Sequence, residues 1–308
     1  SSGRLVRLAV GSGNPGSTSR LDTVAQIRTQ RDFLLPATVE LLGRMEKVLR
    51  GYAAFWKEEE RQATESILGI TNALKAVAGM LSGLSDPQVM AWDTDFWKQR
   101  VGRATSLDGL SEWAVANTVG LMCLLVDADK PAEIQEAERI GYRFMDIRVT
   151  LTMEACHRLS WVRLAKAEDT AKLQAIAREA FHLTRFYADP TLDDSRCDDL
   201  YAEWTRSLCA GAASVVLVAE PYDAKGMPVG YVTVDLDGEQ SEIGLIAVAA
   251  DWRGQHIGST LVNGAIDWAY AHGAKHMTGV TQGRNVGALR TFEGCGFRVS
   301  RTQVWMHR

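Results

Sequence analysis

Residues 112–149 recur as residues 267–304, at an offset of 155 positions and without a gap. Trp113-Ala114 falls on Trp268-Ala269, Ala116 on Ala271, Met122 on Met277, and Glu138 on Glu293. Gly141, Arg143 and Val149 fall on Gly296, Arg298 and Val304, with Tyr142 on Phe297. Eight of the 38 aligned positions are identical. Both segments read as a helix, a β-rich strand, a second helix, a glycine–aromatic turn and a final strand. Such a chain carries one supersecondary unit twice, in a mixed α/β architecture.

The rest of the chain arranges itself around this duplication. Residues 1–20 are rich in Gly, Ser and Pro and read as a flexible lead-in. Residues 21–86 form a helical region, with apolar residues at Leu42, Met45, Leu49, Tyr52, Trp56, Ala63, Ile67, Ile70, Leu74, Val77 and Leu81. Steps of three and four fit helices packed on the body of the protein. They fit equally a hairpin, turning at Gly51 or Gly69, that makes the chain a homodimer. Residues 87–158 hold the first copy of the repeat, and residues 159–308 the second.

Composition narrows the partners. The chain has 308 residues, a net charge of -4 and scattered basic residues, which speaks against nucleic acid as a partner. No apolar run reaches the roughly 20 residues of a membrane span, and no signal peptide opens the chain. Five cysteines, an odd number without a CxxC pair, fit a reducing compartment. The expectation is a cytoplasmic protein off the membrane. The histidines show no metal-ligand spacing, so no metal is expected.

The second copy holds the motifs that carry chemistry. Ser241–Ala250 is a continuous β-rich apolar run. Arg253-Gly254-Gln255-His256-Ile257-Gly258-Ser259 follows it and opens an amphipathic helix through Leu261, Ile266 and Trp268. Unpaired backbone N–H groups in a first helical turn, aided by the helix dipole, bind phosphate. Further on, Asn285, Ala288 and Phe292 share one helix face, and Gly296-Phe297 end that helix and launch a strand.

These two motifs, in this order, resemble the GNAT acetyltransferase superfamily over about 145 residues up to Arg308. The resemblance implies a GNAT fold with a mixed central sheet, preceded by a shortened, degenerate GNAT half and the helical region. It implies an N-acetyltransferase using acetyl-CoA by direct transfer in a ternary complex. Ile246, Ala247 and Val248 would then offer backbone groups to the pantetheine arm, and Arg253 to Ser259 would hold the pyrophosphate. Asn285 would hydrogen-bond the pantetheine, and Phe292 would lie beside the thioester sulfur. Two positions depart from the family, which usually has Gly at 256 and often Tyr at 292. That Tyr protonates the departing thiolate, and Phe292 has no proton to give. Acyl transfer to an ammonium needs a proton acceptor, and Glu242, on the strand before the phosphate turn, is the candidate base. The N–H of Val248 is the candidate to polarise the carbonyl. The first copy lacks this equipment: Glu242 falls on Pro87, Asn285 on Lys130 and Phe292 on Ala137.

Within the family, the segments Ala180–Phe186, Leu200–Trp204, Asp267–Ala271 and Val304–Arg308 resemble enzymes that acetylate a TDP-linked amino-deoxy sugar. That implies a nucleotide-sugar acceptor, with Arg185 as the cation for its diphosphate. Phe186, Tyr187, Tyr201 and Trp204 would supply a flat aromatic surface, although the same residues also read as helix packing. The acidic run Asp193-Asp194 with Asp198-Asp199 leaves another small amine open: an aminoglycoside, a polyamine or a peptide N-terminus. A non-catalytic acyl-CoA-binding protein is the alternative from another class.

Overall fold

A computed structural model describes residues 86–222 and 226–308. The chain divides into two compact units, Ser1–Ser85 and Asp86–Arg308. The lead-in and, but for Asp86, the helical region expected at 21–86 lie outside the described residues.

The first copy runs β1 (Gln88–Val89), α1 (Ala91–Trp97), β2 (Val101–Ala104), α2 (Leu110–Ala116), β3 (Leu121–Asp127), α3 (Pro131–Arg139) and β4 (Arg143–Glu154). The second begins β5 (Val162–Leu164), α4 (Thr170–Ala180), α5 (Arg185–Ala188), α6 (Asp194–Ser207), β6 (Val215–Ala219) and β7 (Gly230–Asp237). It ends β8 (Gln240–Val248), α7 (Ile257–Ala271), β9 (His276–Gln282), α8 (Val286–Gly294) and β10 (Arg298–His307). All ten strands form one mixed sheet, ordered β1-β2-β3-β10-β4-β9-β8-β7-β6-β5. The pairs β2/β3 and β8/β9 are parallel.

The repeat returns in three dimensions at the same offset. Moving β3 and α3 by 155 residues gives the bounds of β9 and α8, and β4 and β10 start 155 residues apart. The two copies exchange their last strands, so that β10 lies beside β3 and β4 beside β9. Gln303 pairs with Asp127 in one contact and Arg148 with Gln282 in the other, the same pairing displaced by 155 on both strands. Gly141 (φ 97°) and Gly296 (φ 104°) follow the two helices in the left-handed conformation that glycine adopts without a Cβ clash. Each precedes a buried aromatic, Tyr142 or Phe297.

The exchange ties the copies into one body. Along β10, Val304 and Met306 join Leu124 and Ala137 in one apolar cluster, and the alternate Trp305 joins Trp97, Phe186 and Tyr201 on the other face. In the second copy α7 and α8 cover the sheet with Leu261, Ile266 and Phe292, joined by Phe297 of the following turn. Each such fully buried Leu, Ile or Phe contributes about 1.5–3 kcal/mol relative to exposure.

Candidate active site

The site begins with a wedge between β8 and β9. These parallel strands pair only from Gln240↔His276 to Ile243↔Gly279. At that point β8 bulges: Val232 faces Ile246 and Val234 faces Ile243, so Gly244 and Leu245 oppose Thr233 alone. The Leu245 N–H donates to Thr233 Oγ1 at 2.8 Å, and a Cβ on Gly244 would stand 2.8 Å from that same oxygen. Glycine is therefore required at 244 by close approach. Beyond the bulge, Ala247 still faces Tyr231 and the Ala249 N–H donates to Val229 O, both toward β7. Strand alternation turns the backbone groups of Ile246 and Val248 to the open edge. The first copy has no wedge, because β2 pairs with β3 over its whole length, Val101↔Leu121 to Ala104↔Leu124.

The wedge opens toward the start of α7. Among the described residues, the backbone N–H groups of Gly254, Gln255, His256, Ile257, Gly258 and Ser259 have no hydrogen-bond acceptor in the protein. Trp252, Arg253 and Thr260, on either side, are satisfied. Residues 253–256 are exposed, and nothing stands within 4 Å of a Cβ built on Gly254. Six consecutive open donors at the positive end of a helix fit a pyrophosphate. Arg253 serves this turn differently from expectation. Its guanidinium donates back to Val248 O (3.0 Å) and Glu179 O (3.3 Å), so it braces the loop instead of reaching for phosphate.

His256 occupies the left-handed region at φ 60°, which explains physically why Gly is usual at this position. We expect His256→Gly to raise stability by up to about 1 kcal/mol and to tighten acetyl-CoA binding. Thermal unfolding with and without acetyl-CoA reads both effects, and a lower midpoint would contradict the strain.

Asn285 caps α8, its side-chain oxygen accepting from the Ala288 N–H at 3.1 Å. Its oxygen is thus engaged, which leaves the amide NH₂ to face a ligand. Phe292 is 1% exposed; its ring packs edge-on against Phe297 at 5.1 Å and fills the space that the missing side chain of Gly279 provides. It is a core residue, and its expected catalytic role reduces to packing beneath the wedge.

Glu242 lies two residues before the bulge, opposite Asp235 on β7 and Thr278 on β9. It keeps solvent contact, as a group that returns protons to water must. Desolvation still raises its pKa; nearby Arg148 pulls it partly back, and Asp235 adds to the rise. That moves a carboxylate toward the working range of a general base.

The expected acceptor residues divide. Phe186 (1% exposed) and Tyr201 (4%) are buried in the core and offer no open stacking face. Tyr201 stacks on Phe181 at 4.5 Å, and Trp204 packs against Trp92, Tyr201 and Phe186. These three are helix-packing residues, because α5 and α6 need bulky apolar groups to seat on the sheet. The Tyr187 hydroxyl donates to Asp198 at 2.5 Å. Arg185 alone of the set reaches the polar surface of the sheet, with its guanidinium over the Trp305 ring. Three of the four acids in the acidic run are also occupied: Asp193 caps α6, Asp198 holds Tyr187 and Asp199 pairs with Arg178. This weakens the case for a polycationic acceptor.

Sequence reading missed the buried polar residues of that sheet face. Asp146, 4% exposed, has its pKa pushed up to about 6 by burial, against Arg284 Nε at 3.8 Å and a 2.9 Å bond from the Ile147 N–H. A carboxyl with a raised native pKa costs stability as pH climbs from its unfolded value of 3.8 past 6. The cost approaches about 3 kcal/mol at neutral pH. Asp146→Asn is therefore expected to be more stable than the parent at pH 8, with the difference vanishing near pH 4. Urea unfolding at the two pH values checks this, and a constant difference would refute it.

A strand wedge beside an N–H-lined helix start is the architecture of an acyl-CoA-binding transferase. Residues 171–297 match the Acetyltransferase (GNAT) family, and this part of the chain is a GNAT-family acetyltransferase domain. Among curated proteins, the chain is 27% identical over 188 residues to a dTDP-fucosamine acetyltransferase of Escherichia coli O6:H1, covering 59% of this chain and 79% of that protein. It is 28% identical over 139 residues to the spore coat polysaccharide biosynthesis protein SpsD of Bacillus subtilis, covering 45% of this chain and 47% of that protein. The chain thus spans about half the length of SpsD. A GCN5-related N-acetyltransferase from Sphaerobacter thermophilus superposes with a TM-score of 0.51 at 16% identity, over 72% of this chain and 75% of that one. A GCN5-related glucosamine N-acetyltransferase region of a fungal multi-domain GH3 β-N-acetylglucosaminidase also gives 0.51, at 14% identity, over 72% of this chain and 31% of that one. Both share the fold. Residues 7–100, most of them outside the described part, match the Peptidase S46 family.

Proposed function

We propose that the chain is an acetyl-CoA-dependent N-acetyltransferase whose acceptor is the amino group of a TDP-linked amino-deoxy sugar. The observation that carries this reading is the row of six unpaired N–H groups, Gly254 to Ser259, at the mouth of the β8/β9 wedge. They would take the pyrophosphate of acetyl-CoA, while the open backbone edge at Ile246 and the N–H of Val248, whose carbonyl is held by Arg253, take the pantetheine. The sugar acceptor is supported by the relatives, one named for dTDP-fucosamine and one for polysaccharide biosynthesis.

In this reading Glu242, directly or through one water, accepts a proton from the acceptor's ammonium. The freed amine attacks the thioester carbonyl, whose oxygen is met by the Val248 N–H. The C–N bond forms, the C–S bond breaks, the sulfur departs as thiolate, and the nitrogen releases its second proton to water. Phe292 supplies no proton, and a thiol pKa of about 8.5 makes the thiolate a tolerable leaving group. The first copy acts as a shortened GNAT half without a CoA site, extending the sheet beside the acceptor. Dimerisation through residues 21–86 and a cytoplasmic location belong to the same proposal, and a monomeric mass at micromolar concentration would remove the dimer.

The test is product analysis after incubation with acetyl-CoA and a TDP-4-amino-4,6-dideoxy-sugar, beside the free amino sugar and a polyamine. Acetylation of the nucleotide sugar above the other two supports the assignment. Acetylation of another amine keeps the enzyme and discards this acceptor, and binding without turnover leaves a non-catalytic acyl-CoA binder.

A further inference from the structure

On the sheet face opposite α7 and α8, three guanidinium groups converge where the copies meet. Arg103 of β2 and Arg185 of α5 both lie over the Trp305 ring of β10, at 5.7 and 4.2 Å from its centroid. Arg148 of β4 bonds only neutral partners, Thr150 Oγ1 (2.9 Å) and Gln303 Oε1 (3.0 Å). Gln303 stands two residues from Trp305 on the same face of β10. Among the described residues none of the three enters an ion pair, and Arg185 Nε is buried without a hydrogen-bond partner.

Burial raises the pKa of Asp93 and Glu242, and the charges of Arg185 and Arg103 pull the first partly back and that of Arg148 the second, yet among the described residues none of the three arginines stands within ion-pair distance of a carboxylate. The guanidiniums also act on one another. Burial lowers the pKa of Arg103 with Arg185 as the next cause, and burial lowers that of Arg148 with Arg103 and Arg185 contributing. Desolvated like charges without a contacting counter-ion are costly, and a planar fork of N–H donors fits phosphate oxygens in pairs. From β8, which carries Glu242, to β10 there are three strand spacings, about 14 Å. A hexose joined to a diphosphate can cover that reach.

We infer that Arg103, Arg148 and Arg185 form an anion site for the phosphate groups of the acceptor, so that the first copy contributes two of the three binding residues to the second copy's reaction. This rests on the proposed transfer to a phosphate-bearing amino sugar and extends it: the substrate class is a sugar amine recognised through its phosphates, with the amine held at Glu242.

Calorimetry on the full chain with TDP as the probe, and inorganic pyrophosphate in parallel, tests the site. Wild type is expected to bind TDP with an affinity that falls as salt rises. Arg103→Gln and Arg185→Gln should each weaken TDP roughly tenfold or more and leave the acetyl-CoA Kd unchanged, which also certifies folding. Arg185→Lys should fall between wild type and Arg185→Gln, and Arg139→Gln, whose guanidinium pairs with Glu136 on the surface of α3, should change nothing. Pyrophosphate binding as tightly as TDP would assign the recognition to phosphate alone, and much weaker binding would give the nucleoside a share; both keep the site. No TDP binding by wild type, or equal TDP affinity in both glutamine variants, overturns it. If the variants lose TDP but no TDP-amino-sugar is acetylated, the anion site stands and the acceptor assignment falls. If the amino sugar is acetylated with the variants' KM unchanged, the acceptor stands and the anion site falls.

Discussion

Replacing Glu242 with Gln is expected to lower kcat by about 10²–10⁴-fold while leaving acetyl-CoA affinity where it is. Gln keeps the shape and hydrogen-bonding reach of the side chain at its place between Asp235 and Thr278 but cannot take a proton. The base works only when deprotonated, and desolvation raises its pKa. Wild-type rate should therefore fall on the acid side through that raised pKa, a limb that the Gln variant lacks. Steady-state rates from pH 5 to 9 for both proteins measure this, and an unchanged kcat with the same acid limb would remove Glu242 from the mechanism.

Gly258→Asp should weaken acetyl-CoA by about 100-fold or more while the fold holds or gains. A Cβ at 258 meets the Thr291 methyl at 3.5 Å, an ordinary contact, so the substitution introduces no clash. An acid in the first turn of α7 favours the helix by about 0.3–1 kcal/mol. The same carboxylate occupies the cradle that a pyrophosphate would need, and two like charges about 5 Å apart repel by roughly 3 kcal/mol at an effective dielectric of about 20. Opposite signs for stability and affinity separate this outcome from misfolding. A lower unfolding midpoint with intact binding would contradict the cradle.

The repeat was legible because its glycine–aromatic turn and identical positions lie in one ungapped stretch. The exchange of β4 and β10 was not, since a strand's alternation names its two faces and says nothing of its neighbours. The wedge had a signal that went unread: Gly244 sits inside a β-rich run, where a glycine often marks a bulge. The turn after β8 was read as a row of backbone donors, and the structure leaves those N–H groups open, while the inward brace made by Arg253 depends on the Glu179 carbonyl, far away in sequence. Phe186, Tyr201 and Trp204 show why aromatics on helices mislead: the same side chains suit a ligand or a core, and only burial decides. Arg103, Arg148 and Arg185 come from β2, β4 and α5, and no local pattern could have joined them.

Titration of acetyl-CoA into the chain decides whether the wedge holds an acyl-CoA. Saturable binding is expected at one site per chain, competed by CoA, retained in Glu242→Gln and lost in Gly258→Asp. Two sites would show that the first copy kept a cradle of its own, and no binding would mean that the wedge and its six open N–H groups do not serve an acyl-CoA.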